Sequence, residues 1–299
     1  MKHFILLFIV FWNVENLFDY RDNGGGEADT EFSSFGERRW TKTRFRRKCN
    51  DIAKTLFWIA DSCGRMPEII TFAEVENRAV VNRLRDWTAL SRYNYATVHY
   101  DSPDRRGIDV GLLYDREALT LTSSRPAPVP GLRTRDMLVA TFITAGGDSL
   151  SLVVCHHPSK YGGKPSEAAR GLAVEALMEV SDSLAAAGWG RQVVLGDFND
   201  TPESDIYLPL KRSLVCLSDS LSRRGIGSIR FDGVWELIDQ AYVSPGLQGA
   251  SQEVMAPPFL TVPDTSYPGV KPFRTYLGPR YIGGVSDHYP ILVRTGEAL

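Results

Sequence analysis

A chain of 299 residues, 43% hydrophobic and 23% charged, is long enough to bury a sizeable core and has the composition of an ordinary globular protein. Its formal charge of −2 excludes a global basic field, so a polyanionic partner would need a local patch. No apolar run reaches the roughly 18–20 residues of a membrane span.

The opening run, Lys2 followed by Phe4 to Trp12, has the look of a secretory signal. It also has the look of a strand that delivers Trp12-Asn13-Val14-Glu15-Asn16 to a site. No small-x-small cleavage pattern lies between Phe4 and Trp12, so about Phe8 to Trp12 is read as core strand. Asn23-Gly24-Gly25-Gly26 reads as a flexible loop. From about Thr41 to Ala60 the spacing predicts an amphipathic helix with Phe45, Cys49, Ile52, Ala53, Leu56 and Ala60 on one face. Strand-length apolar runs follow at 68–74, 107–114, 150–156 and 191–197. Arg125 to Pro130 reads as a stiff, extended loop. A second helix is expected from about Glu167 to Ala187, N-capped by Ser166 and stopped by Gly188, with Leu172, Ala176, Leu177, Val180 and Leu184 inward. A strand from Trp235 is expected to end at Asp239. The stretch from Pro245 to Gly284, dense in Pro and Gly, reads as a long functional loop. Cys49, Cys63, Cys155 and Cys216 are scattered without metal spacing and read as small buried side chains. Strands mixed with helices along the whole length, with no internal repeat or linker, predict α/β layers in a single domain spanning 1–299.

The chemistry gathers at strand ends. Gly196-Asp197-Phe198-Asn199-Asp200 follows an apolar strand, and the strand period can aim Asp197 and Asn199 into one cleft. Such a run is often only a turn. Asn13, Glu74, His156, Asp239 and Asp287-His288 stand at comparable positions, and chance is a poor account of so many. Carboxylates and carboxamides without a Cys/His cluster favour a hard ion, Mg²⁺ or Mn²⁺. Two histidines outside metal spacing suit proton transfer and anion stabilisation.

Taken in order, WNVEN, AEVEN, RRGIDVGLLY, CHHPSK, GDFND, WELIDQAYVS and GGVSDHYP resemble the endonuclease/exonuclease/phosphatase superfamily, whose fold is that of deoxyribonuclease I. The resemblance runs from about residue 8 to residue 294. It implies a four-layer α/β (α+β) sandwich, two packed mixed β-sheets flanked by helices, with the site at the strand ends. It also implies a metal held by Glu74 with Asn13 and Asp287, and a catalytic set of His156, Asp197, Asn199, Asp239 and His288. His157 has no catalytic counterpart and reads as a pocket wall. Ala73 stands where many members have Gln, and the basic surface of relatives dedicated to duplex repair is absent.

Arg38 to Lys48 is the densest basic stretch, but a helix spreads such residues around its circumference. Arg105, Arg106, Lys160 and Arg170 lie nearer the expected site, and Arg106, Lys160 and Arg170 are the candidates for phosphate contacts. The leading expectation is a monomeric, divalent-metal-dependent phosphoesterase acting on phosphodiesters, nucleic acid among them, through an Asp197-oriented water. The alternatives are a phosphomonoesterase for a small metabolite, inositide or sugar, and a catalytically silent binding module. The compartment stays open, with the cytoplasm slightly favoured and export expected if the chain derives from a longer precursor.

Overall fold

The computed structural model describes residues 6–160 and 163–296. In chain order it begins with β1 (Phe8–Leu17), α1 (Glu27–Glu31), α2 (Lys42–Cys63), β2 (Ile69–Val75), α3 (Arg78–Asp86), β3 (Tyr95–His99) and β4 (Asp109–Asp115). There follow β5 (Leu119–Ala127), β6 (Met137–Thr144), β7 (Ser149–His156), α4 (Lys164–Ala186) and β8 (Gln192–Asp197). Next are α5 (Leu208–Ser213), β9 (Val215–Cys216), α6 (Asp219–Ser222), β10 (Ile229–Phe231), β11 (Val234–Glu236) and β12 (Asp239–Val243). The chain finishes with β13 (Ser251–Val254), β14 (Thr261–Pro263), β15 (Val270–Pro272), β16 (Tyr276–Leu277), β17 (Arg280–Tyr281) and β18 (Ile291–Arg294).

Two six-stranded mixed sheets carry the fold, ordered β13-β18-β1-β2-β4-β3 and β5-β6-β7-β8-β12-β9. Each contains one parallel pair near its centre, β1–β2 and β7–β8, among antiparallel neighbours. A parallel pair brings two C-terminal strand ends to one edge of its sheet. An antiparallel neighbour adds its own start there, as β18 does beside β1 and β12 beside β8.

Side-chain alternation then builds the layers. Ile9 and Phe11 point between the sheets, while Val10 and Trp12 lie on the opposite face with Phe45 and Ile52 of α2. Val193 and Leu195 of β8 likewise face the inter-sheet core, and Val194 packs with Val174 and Leu177 of α4. The result is four layers, α2 with α3, two sheets, and α4 with α5.

Both long helices form where the apolar spacing places them. Thr41 caps α2 by accepting from the Arg44 amide at 3.3 Å, and Gly64 ends it at φ 74°. Ile59, rather than Ala60, completes its buried stripe. The N-cap of α4 is Gly163 instead of Ser166, because Pro165 is pre-set for a first turn. Leu172 is 41% exposed, since the buried row Ala173, Leu177, Val180 and Leu184 lies one residue, about 100°, away from it.

Three loop expectations also change. Asn23 to Gly26 is fastened, with the Asn23 and Gly25 amides donating to Asp29 Oδ2 at 2.6 and 2.9 Å. Arg125 to Ala127 belongs to β5, an edge strand, where proline is tolerated. Between Pro245 and Gly284 the chain forms the short strands β13 to β17. All four cysteines are free, Cys49 and Cys155 being fully buried.

Leu7 is 1% exposed and its amide donates to Thr295 Oγ1 at 2.9 Å, so the core begins earlier than Phe8. Deleting residues 1–5 should leave the thermal midpoint nearly unchanged. Deleting 1–13 removes a central strand with at least Ile9, Val10, Phe11 and Trp12, each worth about 1.5–3 kcal/mol of burial, and should abolish soluble folded protein. A folded 1–13 deletion, judged by circular dichroism and thermal midpoint, would show that the segment is dispensable.

Candidate active site

The inter-sheet rows end in polar residues. Asn13 continues Ile9 and Phe11, His156 continues Leu152 and Val154, and Asp197 continues Val193 and Leu195. Asp239 does the same from the other direction. It opens β12 instead of closing a strand from Trp235, and the antiparallel register sets it opposite Asp197. Trp235 belongs to the β10–β11 hairpin. The core therefore runs without interruption into a buried polar cluster.

Asp197 is its hub. Its Oδ2 accepts from Asn13 Nδ2 at 3.0 Å and lies 3.6 Å from His156 Nε2 and 3.9 Å from His288 Nε2. Its Oδ1 accepts the Asn199 amide at 2.9 Å. Gly196 allows this approach, because a Cβ there would sit 2.1 Å from the Cys155 carbonyl oxygen of the parallel neighbour. His288 Nδ1 and Asp239 Oδ2 share a hydrogen bond of 2.7 Å. Ser286 Oγ donates to the Asn13 carbonyl at 2.6 Å, and Trp12 Nε1 donates to the His288 carbonyl at 2.9 Å, which ties the SDH segment to β1.

The two histidines are driven in opposite directions. Burial disfavours the His288 imidazolium, but Asp239, Asp197 and Asp287 together outweigh it and raise its pKa well above 6.5. Burial, reinforced by Arg135, Arg106 and His288, lowers His156 well below 6.5. Burial and Asp239 raise Asp197 to about 7 against the pull of His288 and Asn13. One carboxylate near neutrality thus stands between a cationic and a neutral imidazole. Divergent environments of this kind assign acid and base roles.

Beyond Asn13 the register of β1 against β2 shifts before pairing resumes at Leu17. Glu15 and Asn16 adopt left-handed φ values of 48° and 55°, and Glu74 one of 62°, all costly for residues with a Cβ. The Asn16 amide donates to Glu74 Oε2 at 2.8 Å, and Arg106 donates to both Glu74 oxygens at 3.3 and 3.5 Å. Glu15 accepts from the Thr275 amide at 2.8 Å and from Arg274, which also reaches Asp287 Oδ2 at 3.0 Å. Lys48, fully buried, donates to the Glu15 carbonyl and to Thr275 Oγ1 at 2.8 Å. Glu15, Lys48 and Arg274 were not singled out from the sequence. Glu15 lies inside WNVEN and offered a signal, whereas nothing local marks Lys48 among its basic neighbours.

Other expected residues lie apart from the cluster. Arg170 is buried, donating to Asp200 Oδ2 and the Ser159 carbonyl at 3.2 Å, which braces the GDFND turn from behind. Lys160 is half-exposed, 3.4 Å from Asp200 and 3.6 Å from Glu236. Asn199 takes a left-handed φ of 55° and donates its carboxamide to the His157 carbonyl at 2.9 Å, so the strand period does not carry past Asp197. His157 is no pocket wall. It is core, its ring tilted 55° to that of Phe198 at 4.7 Å on the α4 side. Among the described residues, Asp197, Asp239 and His288 hold ligand atoms within 4.8 Å of one another, as do His99, Asp101 and Asp109 at the β3–β4 connection.

The His288–Asp239 pair has a pH signature. The folded pKa of His288 lies above the unfolded 6.5, so its stabilisation is complete below 6.5 and fades as pH rises through the folded value. Above 6.5, denaturant midpoints should therefore fall more steeply in the wild type than in Asp239→Asn. Parallel curves would remove the imidazolium assignment.

The comparisons agree with this fold. The chain superposes on D. rerio TDP2 complexed with single strand DNA product at a TM-score of 0.59, 14% identity, and 97% and 98% coverage of the two chains. The human Nocturnin catalytic domain with bound sulfate anion gives 0.59, 15% identity, and 97% and 92% coverage. An endonuclease/exonuclease/phosphatase family protein from Bacteroides thetaiotaomicron gives 0.59, 16% identity and 97% coverage of both chains. No curated protein matches the chain. The profile of the Endonuclease/Exonuclease/phosphatase family matches residues 8–296, and the chain belongs to this family of phosphoester-hydrolysing enzymes.

Proposed function

We propose that the protein hydrolyses phosphodiester bonds with the help of Mg²⁺ or Mn²⁺, by in-line attack of a water that Asp197 orients. The observation that carries this reading is the Asp197 carboxylate set 3.6 Å from His156 Nε2 and 3.9 Å from His288 Nε2, two imidazoles whose surroundings drive their pKa values in opposite directions. A base with a pKa of about 7 accepts a proton effectively near neutrality.

The donor chemistry suits a hard ion: Glu74 and Asp287 are carboxylates that both act on the charge of Lys48, and Glu15 adds a further carboxylate, joined to Asp287 through Arg274. Glu74 and Asp287 would hold the ion with Asn13 beside it, and the bound ion would offset charge on the phosphate oxygens. The chain's own side chains account for the rest. Asp197 takes the proton of the attacking water. His288, kept cationic by Asp239, meets the charge that grows on the phosphoryl or leaving oxygen. His156 stays neutral and supplies a donor or acceptor to the same group. Arg106, half-exposed beside Glu74, is the cation assigned to a phosphate contact, while Lys160 lies farther out beside Asp200 and Glu236. The single-strand DNA product held by the D. rerio TDP2 structure supports a polynucleotide over a small metabolite as substrate.

The test is a panel of single-stranded DNA, a bis-aryl phosphodiester and an aryl phosphomonoester. Both diesters should turn over with Mg²⁺ or Mn²⁺ and stop in excess chelator. Glu74→Ala should be inactive yet folded. Asp197→Asn and His288→Ala should each lower kcat on the order of 10²-fold with little change in KM. Turnover of the monoester alone would favour the small-metabolite phosphatase. Full activity in chelator would end the metal assignment.

A further inference from the structure

Seven basic residues and no acidic one lie between Arg38 and Lys48, in a chain whose total formal charge is only −2. The structure sorts these cations by helix face. On one flank of α2, Lys42 lies 5.8 Å from the Trp87 and Tyr20 rings, and Arg46 lies 5.3 Å from Trp87. Those charges cover aromatic faces. On the other flank are Arg44 and Arg47, and this flank abuts the catalytic end of the molecule.

The connection is continuous. Arg274 touches Asp287 at 3.0 Å, and its neighbour Thr275 accepts the Ile282 and Gly283 amides at 3.0 and 3.3 Å. Gly283 in turn packs against Arg47, since a Cβ there would meet Nη1 at 3.4 Å. Gly284 keeps the return strand tight, because its Cβ would lie 2.1 Å from the Phe273 carbonyl oxygen. Arg44 lies 4.2 Å over the ring of Tyr281, and Arg280 is exposed beside it in β17. Arg44 Nη1 is fixed by the Arg38 and Arg39 carbonyls at 2.9 and 2.8 Å, which orient the guanidinium without neutralising it. Among the described residues, Arg274 pairs with Glu15 and Asp287, and Asp51 lies 3.7 Å from the 61%-exposed Arg47.

We propose that Arg274, Arg47, Arg44 and Arg280, with Tyr281, form a track that carries a single-stranded nucleic acid away from the active site. The proposal rests on the phosphodiesterase reading above and names where its substrate lies. A row of cations starting at the scissile position fits a ligand whose phosphates repeat, and a single phosphorylated metabolite would use only its first member. The Arg44–Tyr281 stack adds a planar ledge on which a base can rest, a sequence-tolerant contact.

The test compares Arg44→Ala/Arg47→Ala with Lys42→Ala/Arg46→Ala on the opposite flank. The bis-aryl diester should be hydrolysed by both at the wild-type kcat/KM. For a single-stranded oligonucleotide, kcat/KM should fall on the order of tenfold in the first variant alone. Its binding measured by fluorescence anisotropy in chelator should show a log–log salt dependence shallower by about 1.4, from about 0.7 for each lost phosphate contact. Wild-type oligonucleotide affinity and salt slope in Arg44→Ala/Arg47→Ala would overturn the track, as would equal losses on the small diester and the oligonucleotide. Arg44- and Arg47-dependent binding to phosphatidylserine vesicles without oligonucleotide binding would overturn it in favour of a membrane surface. The anisotropy needs no turnover, so an inactive wild type would count against the phosphodiesterase reading and leave the track to be judged on binding.

Discussion

Asp197, Asp239 and His288 are buried together between two apolar sheets, and charge taken out of water persists only where it is paired and hydrogen-bonded. The surrounding architecture meets that demand. Parallel pairs in both sheets bring Asn13 and Asp197 to one edge, and antiparallel β12 and the segment before β18 add Asp239 and His288. Each group then finds its partner without leaving the inter-sheet row. Removing any member would strand another buried charge, so the cluster fixes the register of the strands that end in it.

A second buried charge set stands behind it. Glu15 is raised to about 7 by burial and by Asp287, and Lys48 is lowered to about 8 by burial. Lys48 and Arg274 clasp Glu15 from two sides, one from α2 and one from the Pro/Gly-rich segment. A single helix thus serves two ends. Its inner face braces the left-handed turn after Asn13, and its outer flank presents Arg44 and Arg47 to solvent at the rim.

What the sequence made legible followed from local periodicity and from strand ends. The strands carrying Asn13, Glu74, His156 and Asp197 were readable because an apolar run stopped at a polar residue. Asp239 was placed at the wrong end of its strand, because sequence order does not say whether a strand runs toward or away from the site. Arg170 illustrates a related limit of local pattern: a helix cation near a motif can face the back of the turn, and the burial of Ala173 and Leu177 on its helix carries it inward to Asp200. Glu15, Lys48 and Arg274 meet over sequence separations that no local pattern encodes. In the Pro-rich stretch at 125–130, residues 125–127 belong to β5, because composition does not distinguish a loop from an edge strand.

The central claim is that Asp197 lies between two imidazoles of opposite charge, and imidazole ¹⁵N NMR of the folded protein near neutral pH measures it directly. The account predicts His288 doubly protonated and His156 neutral, with neither ring changing state near 6.5. Two histidines titrating together near 6.5, or the reverse assignment of charge, would contradict it.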